Sequence, residues 1–525
     1  MCEKESRVNT TNDHIHRSFD GSYRDTEIVI GLVGAVGTQQ KRVVEAIEDR
    51  LKAFSYGTRE IHVSQDVIGA LYSDIPSQFS TEFDRISTYI NRGNDARRSS
   101  GDNSILALGI CSEIFREREH DEQQSIKPRS RIAYIVNSLK HPEEVRRLRR
   151  VYTDGFYLIG VHSSKEMRRD HLTEKNIDPP QAEELIKRDE DEVEGHGQHT
   201  RDTFHLADFF IHLGDKDLPW KNDLWRILDL IFRYPYFTPT FDEYAMFMAF
   251  ASSLRSADLS RQIGAVIARN NEIIATGAND CPKPEGGLYW PKCDPATHEY
   301  TDAANGRDYK RGEDSNKKEQ RKIVDEILQR LDGDVDRSKV EAALLRSRIG
   351  DLTEYGRVVH AEMEALLFCA RNTVDARGAT LYTTTFPCHN CAKHIIAAGI
   401  ARVVYVEPYP KSKAMEFHND AIDSRGNSNS GLVIFEPFVG IGPRKFFDLF
   451  SMKLSTGSEL VRKNKDGGIL HWQRDSGYAR IQMLPCSYLE QETEATKRFA
   501  EYREGLESRN EHDAGEQSRE PACAG

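Results

Sequence analysis

TTTFPCHNCAKHIIAAG (Thr383–Gly399) hands a strand over to a helix. Its opening is rich in β-branched residues, which suit a pleated strand. Pro387 sits at the changeover and fits the entry to a helix. Behind it, Cys388 and Cys391 stand three apart. At a helix start, that spacing directs both sulfurs to one point. A lone C-x-x-C also serves as a redox pair or as half of a zinc ribbon, and no second C-x-x-C is present to complete a ribbon.

A second stretch decides between these readings. GRVVHAEMEALLFCAR (Gly356–Arg371) carries Val359, Met363, Leu366 and Ala370 at helical spacing, the pattern of a packed helix. His360, Glu362 and Glu364 interrupt its front end. His360 and Glu362 would face nearly opposite ways on a continuous helix. At a first turn, both can reach a point just beyond the helix end. Two helix starts converging on one ion would supply His360, Cys388 and Cys391 as three ligands. That leaves the fourth tetrahedral position open, as in a catalytic rather than a structural zinc site. Bound zinc lowers the pKa of water from 15.7 to about 7. The positive helix ends would also favour thiolates. Glu362 then stands beside the metal as a proton carrier. Glu364 reads as a solvated helix residue, and His389 and His394 as non-ligands.

The bulk numbers bound the setting. A chain of 525 residues is expected to form two or three domains. Hydrophobic content of 38% with 9% aromatics is enough for real cores. No apolar run approaches the roughly 18–20 residues of a membrane helix. The opening MCEKESRVNTTNDHIHRSFDGSYRD has no hydrophobic signal region, so the expected address is the cytoplasm. Nine scattered cysteines argue against a disulfide framework there. A net charge of -12 weighs against a polymer-gripping basic face, and less against small nucleotides.

Residues 1–24 are polar and expected to be disordered. TEIVIGLVG (Thr26–Gly34) followed by QQKRVVEAIEDRLKAF reads as strand, glycine turn and helix. EIHVS, RIAYIV, GFYLIGV and ADFFIHL continue a parallel α/β pattern with flanking helices. LIKRDEDEVEGHGQHTRD (Leu185–Asp202) is highly charged and reads as a lid. YPYFTPTF places a boundary near 236. A second α/β domain is expected over 236–488, with an insertion at 285–355, and a charged tail over 489–525.

H-x-E followed by P-C-x-x-C is the signature of zinc nucleobase deaminases. With HAEMEALL and FPCHNCAKHIIAAGI the chain resembles the cytidine and deoxycytidylate deaminase family. The resemblance implies a cytidine-deaminase-type α/β/α domain and hydrolytic removal of the 4-amino group of cytosine. It gives His360, Cys388 and Cys391 to one zinc and the proton transfers to Glu362. SADLSRQIGAVIARNNEIIATGANDCPK resembles the opening of deoxycytidylate deaminases and implies a sugar contact at Asn279. VVYVEPYPKSKA implies substrate contacts at Tyr409, Lys411 and Ser412. GGLYW, RGEDSN and FEPFVGIGPRKFFDLF resemble bacterial antiphage deoxycytidylate deaminases of the AvcD type, which join a P-loop-kinase-like domain to a deaminase domain. That likeness implies dCMP or dCTP as substrate, depletion of the deoxycytidine nucleotide pool and control by RNA, and the resemblance to deoxycytidylate deaminases at large implies a homo-oligomer. The competing enzyme reading is cytosine editing in single-stranded DNA or RNA, which needs a basic, aromatic groove. A different class is a nucleotide-sensing module with an inert deaminase domain. Some deoxycytidylate deaminases carry a second, structural zinc, for which Cys281, Cys293 and His298 are the candidates.

GLVGAVGTQQKR (Gly31–Arg42) is a degenerate P-loop. The full motif G-x-x-x-x-G-K-[ST] places Gly and Lys after Gly34 where this chain has Gln39 and Gln40. The glycines alone are balanced between a phosphate site and a tight turn. The resemblance tips them to nucleotide binding at Gly34, Gly37 and Thr38, without kinase chemistry, in a domain that senses a cue and restrains the deaminase. Lys140, Arg146, Arg147, Arg149 and Arg150 could meet phosphates, although a solvated helix face suits most of them.

Overall fold

A strand covered on both faces needs apolar side chains on both, and IVIGLV supplies them without a break. In the computed structural model this run is β1 (Ile28–Val33), buried throughout. The structure describes residues 24–120, 126–190, 195–214, 217–331, 336–406, 412–424, 431–455, 459–483, 492, 496 and 498–506. Of residues 1–24, expected to be disordered, all but Arg24 lie outside that range. Of the expected tail, the described residues 492, 496 and 498–506 are helical.

After β1 the chain turns into α1 (Gln40–Lys52), which buries Val43, Val44, Ile47 and Leu51. The parallel strands β2 (Gly57–His62), β3 (Ile132–Asn137), β4 (Phe156–His162) and β5 (Phe209–His212) follow in the spatial order β5-β4-β1-β3-β2. Helix α2 (Pro142–Tyr152) follows β3, and α3 (Asp217–Ile231) follows β5. Ile28, Ile30, Leu32, Val43, Ile47, Leu224 and Ile227 share one core between sheet, α1 and α3. Each such side chain stabilises by about 1.5–3 kcal/mol when fully buried. The strand order turns about β1, so its carboxyl end faces the crevice where open α/β sheets take ligands.

Two compact units divide the chain: described residues up to Pro239 and from Val439 onward form one, and Thr240–Phe438 the other. The second unit therefore ends earlier than the sequence expectation of 488. The cause is a short strand, Gly440–Ile441, that pairs antiparallel with β5 and covers the outer edge of the first sheet. Leu449 and Ala479 then join the first core.

The second unit opens with α4 (Phe241–Ser253), whose Thr240 and Glu243 form a reciprocal capping box. β6 (Gly264–Arg269) and β7 (Glu272–Ala278) form a hairpin. Asn270 and Asn271 both take positive φ, 53° and 61°, as a two-residue type I′ turn requires. Then come α5 (Ala361–Arg371), β8 (Thr380–Thr383), α6 (His389–Ala397), β9 (Arg402–Tyr405), β10 (Ile422–Asp423) and β11 (Val433–Pro437). The sheet runs β10-β11-β9-β8-β6-β7, and β6 is antiparallel to both neighbours. Both units are α/β.

Two glycines let helices lie directly on this sheet. A Cβ at Gly264 would stand 1.8 Å from the Ala249 carbonyl oxygen of α4, and one at Gly277 2.1 Å from that of Ala361 in α5. Between β7 and α5, the stretch expected as an insertion forms a ribbon of Lys292–Cys293 and Tyr300–Thr301 and helices Ser315–Gln329 and Arg337–Leu345. Two ion pairs tie it to the segments that flank it: the buried pair of Arg307 and Asp280 at 3.2 Å, and the half-buried Arg357 on Asp308 at 2.6 Å. The charged stretch expected as a lid is partly helical, in Pro179–Glu190 and Thr200–Phe204. Among the described residues, no helix is long and apolar enough to cross a membrane.

Candidate metal centre

His360 is the N-cap of α5 and Cys388 the N-cap of α6, each with extended backbone just before its helix begins. Two helix starts therefore meet at one place. His360 Nδ1 lies 3.3 Å from Cys388 Sγ and 3.4 Å from Cys391 Sγ. The Cys391 amide donates to Cys388 Sγ at 3.4 Å, so the first turn of α6 is closed by that sulfur. Among the described residues, these three make the one histidine, cysteine and carboxylate group able to hold a metal, with donor atoms within 4.8 Å of one another.

The donor set fits zinc. Bonds of about 2.3 Å to sulfur and about 2.0 Å to nitrogen at a tetrahedral ion hold those donors about 3.5 Å apart. The two observed nitrogen–sulfur separations are close to that. Two soft thiolates and an imidazole also exclude magnesium and calcium, which take oxygen. Without metal, the three groups share protons. The Cys388 thiol is pushed down to about 4 by the hydrogen bond from Cys391 and by His360. His360 is pushed up to about 9, chiefly by its hydrogen bond with Cys388. The hydrogen bond with Cys388 and burial push Cys391 well up.

Glu362, in the first turn of α5, is 2% exposed. The Cys391 thiol donates to its Oε2 at 3.4 Å. Burial raises its pKa. A carboxyl group buried beside the three donors is placed to carry a proton to and from groups bound there.

Other expected residues stand elsewhere or have other partners. Asn279 is buried, and its amide is engaged by backbone: Oδ1 accepts from the Ile263 amide at 2.7 Å and Nδ2 donates to the Arg261 carbonyl at 2.9 Å. It pins the loop before β6. Tyr409 and Lys411 lie outside the described residues. Ser412 accepts from the Ala414 amide at 3.0 Å. Cys281 is buried with its thiol 3.5 Å from Asp308 Oδ1, while Cys293 is exposed on the ribbon, and these two with His298 do not assemble a second metal group.

Glu364 corrects the sequence reading. It is 6% exposed rather than solvated and pairs with Arg371 at 2.5 Å. The signal was present as a carboxylate and a guanidinium seven residues apart on one helix face. In the first unit, Gly34, Gly37 and Thr38 do lie in the turn after β1, and Lys140 reaches that turn with its Nζ 2.7 Å from the Gly34 carbonyl. Arg147 turns to Ser104, and Arg149 to Asp208 at 2.8 Å. Arg146 and Arg150 are exposed.

Comparison with known proteins concerns the second unit. Residues 239–407 match the family described as the cytidine and deoxycytidylate deaminase zinc-binding region. The deoxycytidylate deaminase of Enterobacteria phage T4 is 35% identical over 167 residues, 32% of this chain and 77% of that one. That of Homo sapiens is 27% identical over 200 residues, 38% and 79% of the two chains. A crystal structure of dCMP deaminase from cyanophage S-TIM5 aligns over 38% of this chain and 99% of that one, at 18% identity and a TM-score of 0.21.

Proposed function

The chain belongs to the cytidine and deoxycytidylate deaminase family, and from that premise we propose that it hydrolyses free deoxycytidine nucleotides to deoxyuridine nucleotides and ammonia. The observation that carries this reading is the convergence of His360 Nδ1, Cys388 Sγ and Cys391 Sγ beside the buried Glu362 carboxyl.

His360, Cys388 and Cys391 would hold zinc, which when bound supplies the Lewis acidity that makes water a nucleophile near neutral pH. The remaining work falls to the chain. Glu362 accepts a proton from water as its oxygen adds to C4 of cytosine, and passes that proton to N3. A second transfer through Glu362 reaches the 4-amino nitrogen, and the C4–N bond breaks to release ammonia. Water's oxygen becomes O4 of uracil, so the atoms balance. Asn279 acts by fixing the loop Arg261–Ile263 as well as through the sugar contact that the family resemblance suggests. Tyr409, Lys411 and Ser412 are proposed on the same resemblance.

The names of the relatives favour dCMP. The likeness of GGLYW and RGEDSN to antiphage deaminases adds dCTP, and with it depletion of the deoxycytidine nucleotide pool during infection. Ammonia release from dCMP, dCTP and a cytosine-containing single-stranded oligonucleotide tests the proposal. Turnover of the free nucleotides is expected, and turnover of the oligonucleotide alone would overturn it. In Cys391→Ser, metal retention should weaken by more than the roughly 10–100-fold typical of outer-shell changes, with deamination lost in parallel. Full zinc by metal analysis in that variant would remove Cys391 from the ligand set.

A further inference from the structure

The turn after β1 has an occupant supplied by the chain itself. The Val36 amide donates to Asp189 Oδ2 at 2.8 Å, across 153 residues of sequence. Lys140 Nζ donates to Asp189 Oδ1 at 2.7 Å and to the Gly34 carbonyl at 2.7 Å. Asp189 lies near the end of helix Pro179–Glu190 and is 1% exposed. Thr38 Oγ1 is buried in the same turn with no hydrogen-bond partner among the described residues. Gly37 has φ +85° and packs so tightly that a Cβ there would stand 2.6 Å from the Arg168 carbonyl oxygen.

Backbone amide, lysine ammonium, hydroxyl and the start of a 13-residue helix are the donors that hold phosphate at a strand–turn–helix. They stand at the carboxyl end of β1, where the strand order turns. In this chain they surround a carboxylate. The lysine that the motif lacks at position 40 comes instead from Lys140, after β3. Its charge is already matched by Asp189.

We propose that Asp189 is the resident anion of a phosphate site, and that the phosphates of a nucleoside triphosphate enter this turn only by displacing it. Two anions cannot share one amide and one lysine in a buried site, so occupancy is exclusive. Entry frees the end of helix Pro179–Glu190 from the turn, which ties ligand binding to a movement of that helix. This concerns the first unit and stands or falls independently of the deaminase reading.

Calorimetric titration of the full chain with pyrophosphate and with ATP tests it. Asp189→Asn keeps the shape of the side chain and removes its charge. That variant is expected to bind at least tenfold more tightly than wild type. Adding Lys140→Ala to it should abolish the gain. Equal affinity in wild type and Asp189→Asn, or no binding in either, overturns the proposal. If Asp189→Asn does not fold, hydrogen exchange of the wild type in pyrophosphate decides. Faster exchange over 179–190 with slower exchange over 34–40 supports displacement, and unchanged exchange in both overturns it.

Discussion

Glu362→Gln should lower kcat for deamination by about 10²–10⁴-fold, the usual contribution of a positioned proton-transfer group. The substitution changes shape very little at a site that is 2% exposed. A glutamine can still accept a hydrogen bond from Cys391, but cannot carry a proton between water, N3 and the leaving nitrogen. Zinc content should stay at the wild-type level, because the three metal donors are other residues. The melting temperature should be unchanged or higher. Burial already disfavours the ionised carboxyl at this position, and the amide removes that penalty. Metal analysis and ammonia release on the same preparation separate the alternatives. Loss of zinc would make Glu362 a ligand, and activity within tenfold of wild type would remove it from the proton path.

Gly277→Ala should disable the same site from behind. The added methyl would stand 2.1 Å from the Ala361 carbonyl oxygen and 2.7 Å from the Ala365 amide nitrogen. Neither is a flexible side-chain end. Both are backbone of the first turns of α5, so the helix start itself must shift. Overpacking of this kind costs about 1–3 kcal/mol. A displacement near 1 Å at groups that must meet the substrate costs about 10²-fold in rate. Gly378→Ala is the matched control, since Gly378 has φ +70° and open space around its Cβ position. It should lose about 1 kcal/mol through backbone strain with no change in specific activity. Denaturant midpoints and kcat for the two variants check the pair, and equal specific activity in both would show that contact with β7 does not position α5.

The three residues that converge as a candidate metal centre were legible because metal binding restricts residue type. Only a few side chains bind zinc, and H-x-E with P-C-x-x-C places them where helices begin. The buried run of β1 was legible too, since cover on both faces leaves an uninterrupted apolar string. Glu364 was misread because Arg371, seven residues on along the same helix, closes over it, and Arg371 itself meets a segment far along the chain. The Gly286–Gly287 turn of the insertion lies against Arg371, with the Cβ position of Gly286 2.7 Å from Arg371 Cδ, and Arg371 in turn closes over Glu364. The role of Asn279 was hidden for a related reason: its amide satisfies backbone groups, which have no signature in sequence. Asp189 was invisible as a partner of Val36, because nothing local marks a contact across 153 residues. The limit of the second unit escaped because a strand of two residues, Gly440–Ile441, is too short to show a period.

That short strand also sets an order of events during synthesis. The first unit is interrupted at Pro239 and resumes at Val439. While a ribosome makes the intervening segment, the outer edge of β5 has no strand beside it. At about 5–20 residues per second, the wait between His212 and Ile441 is roughly 10–45 s. An uncapped edge strand is a template for pairing with other chains. The nascent protein therefore passes through a defined window of exposure, which closes only when the second unit has been made and can itself have folded. Conditions that slow elongation within 240–438 would lengthen that window, and yield would fall through aggregation of unfinished chains rather than through instability of finished ones.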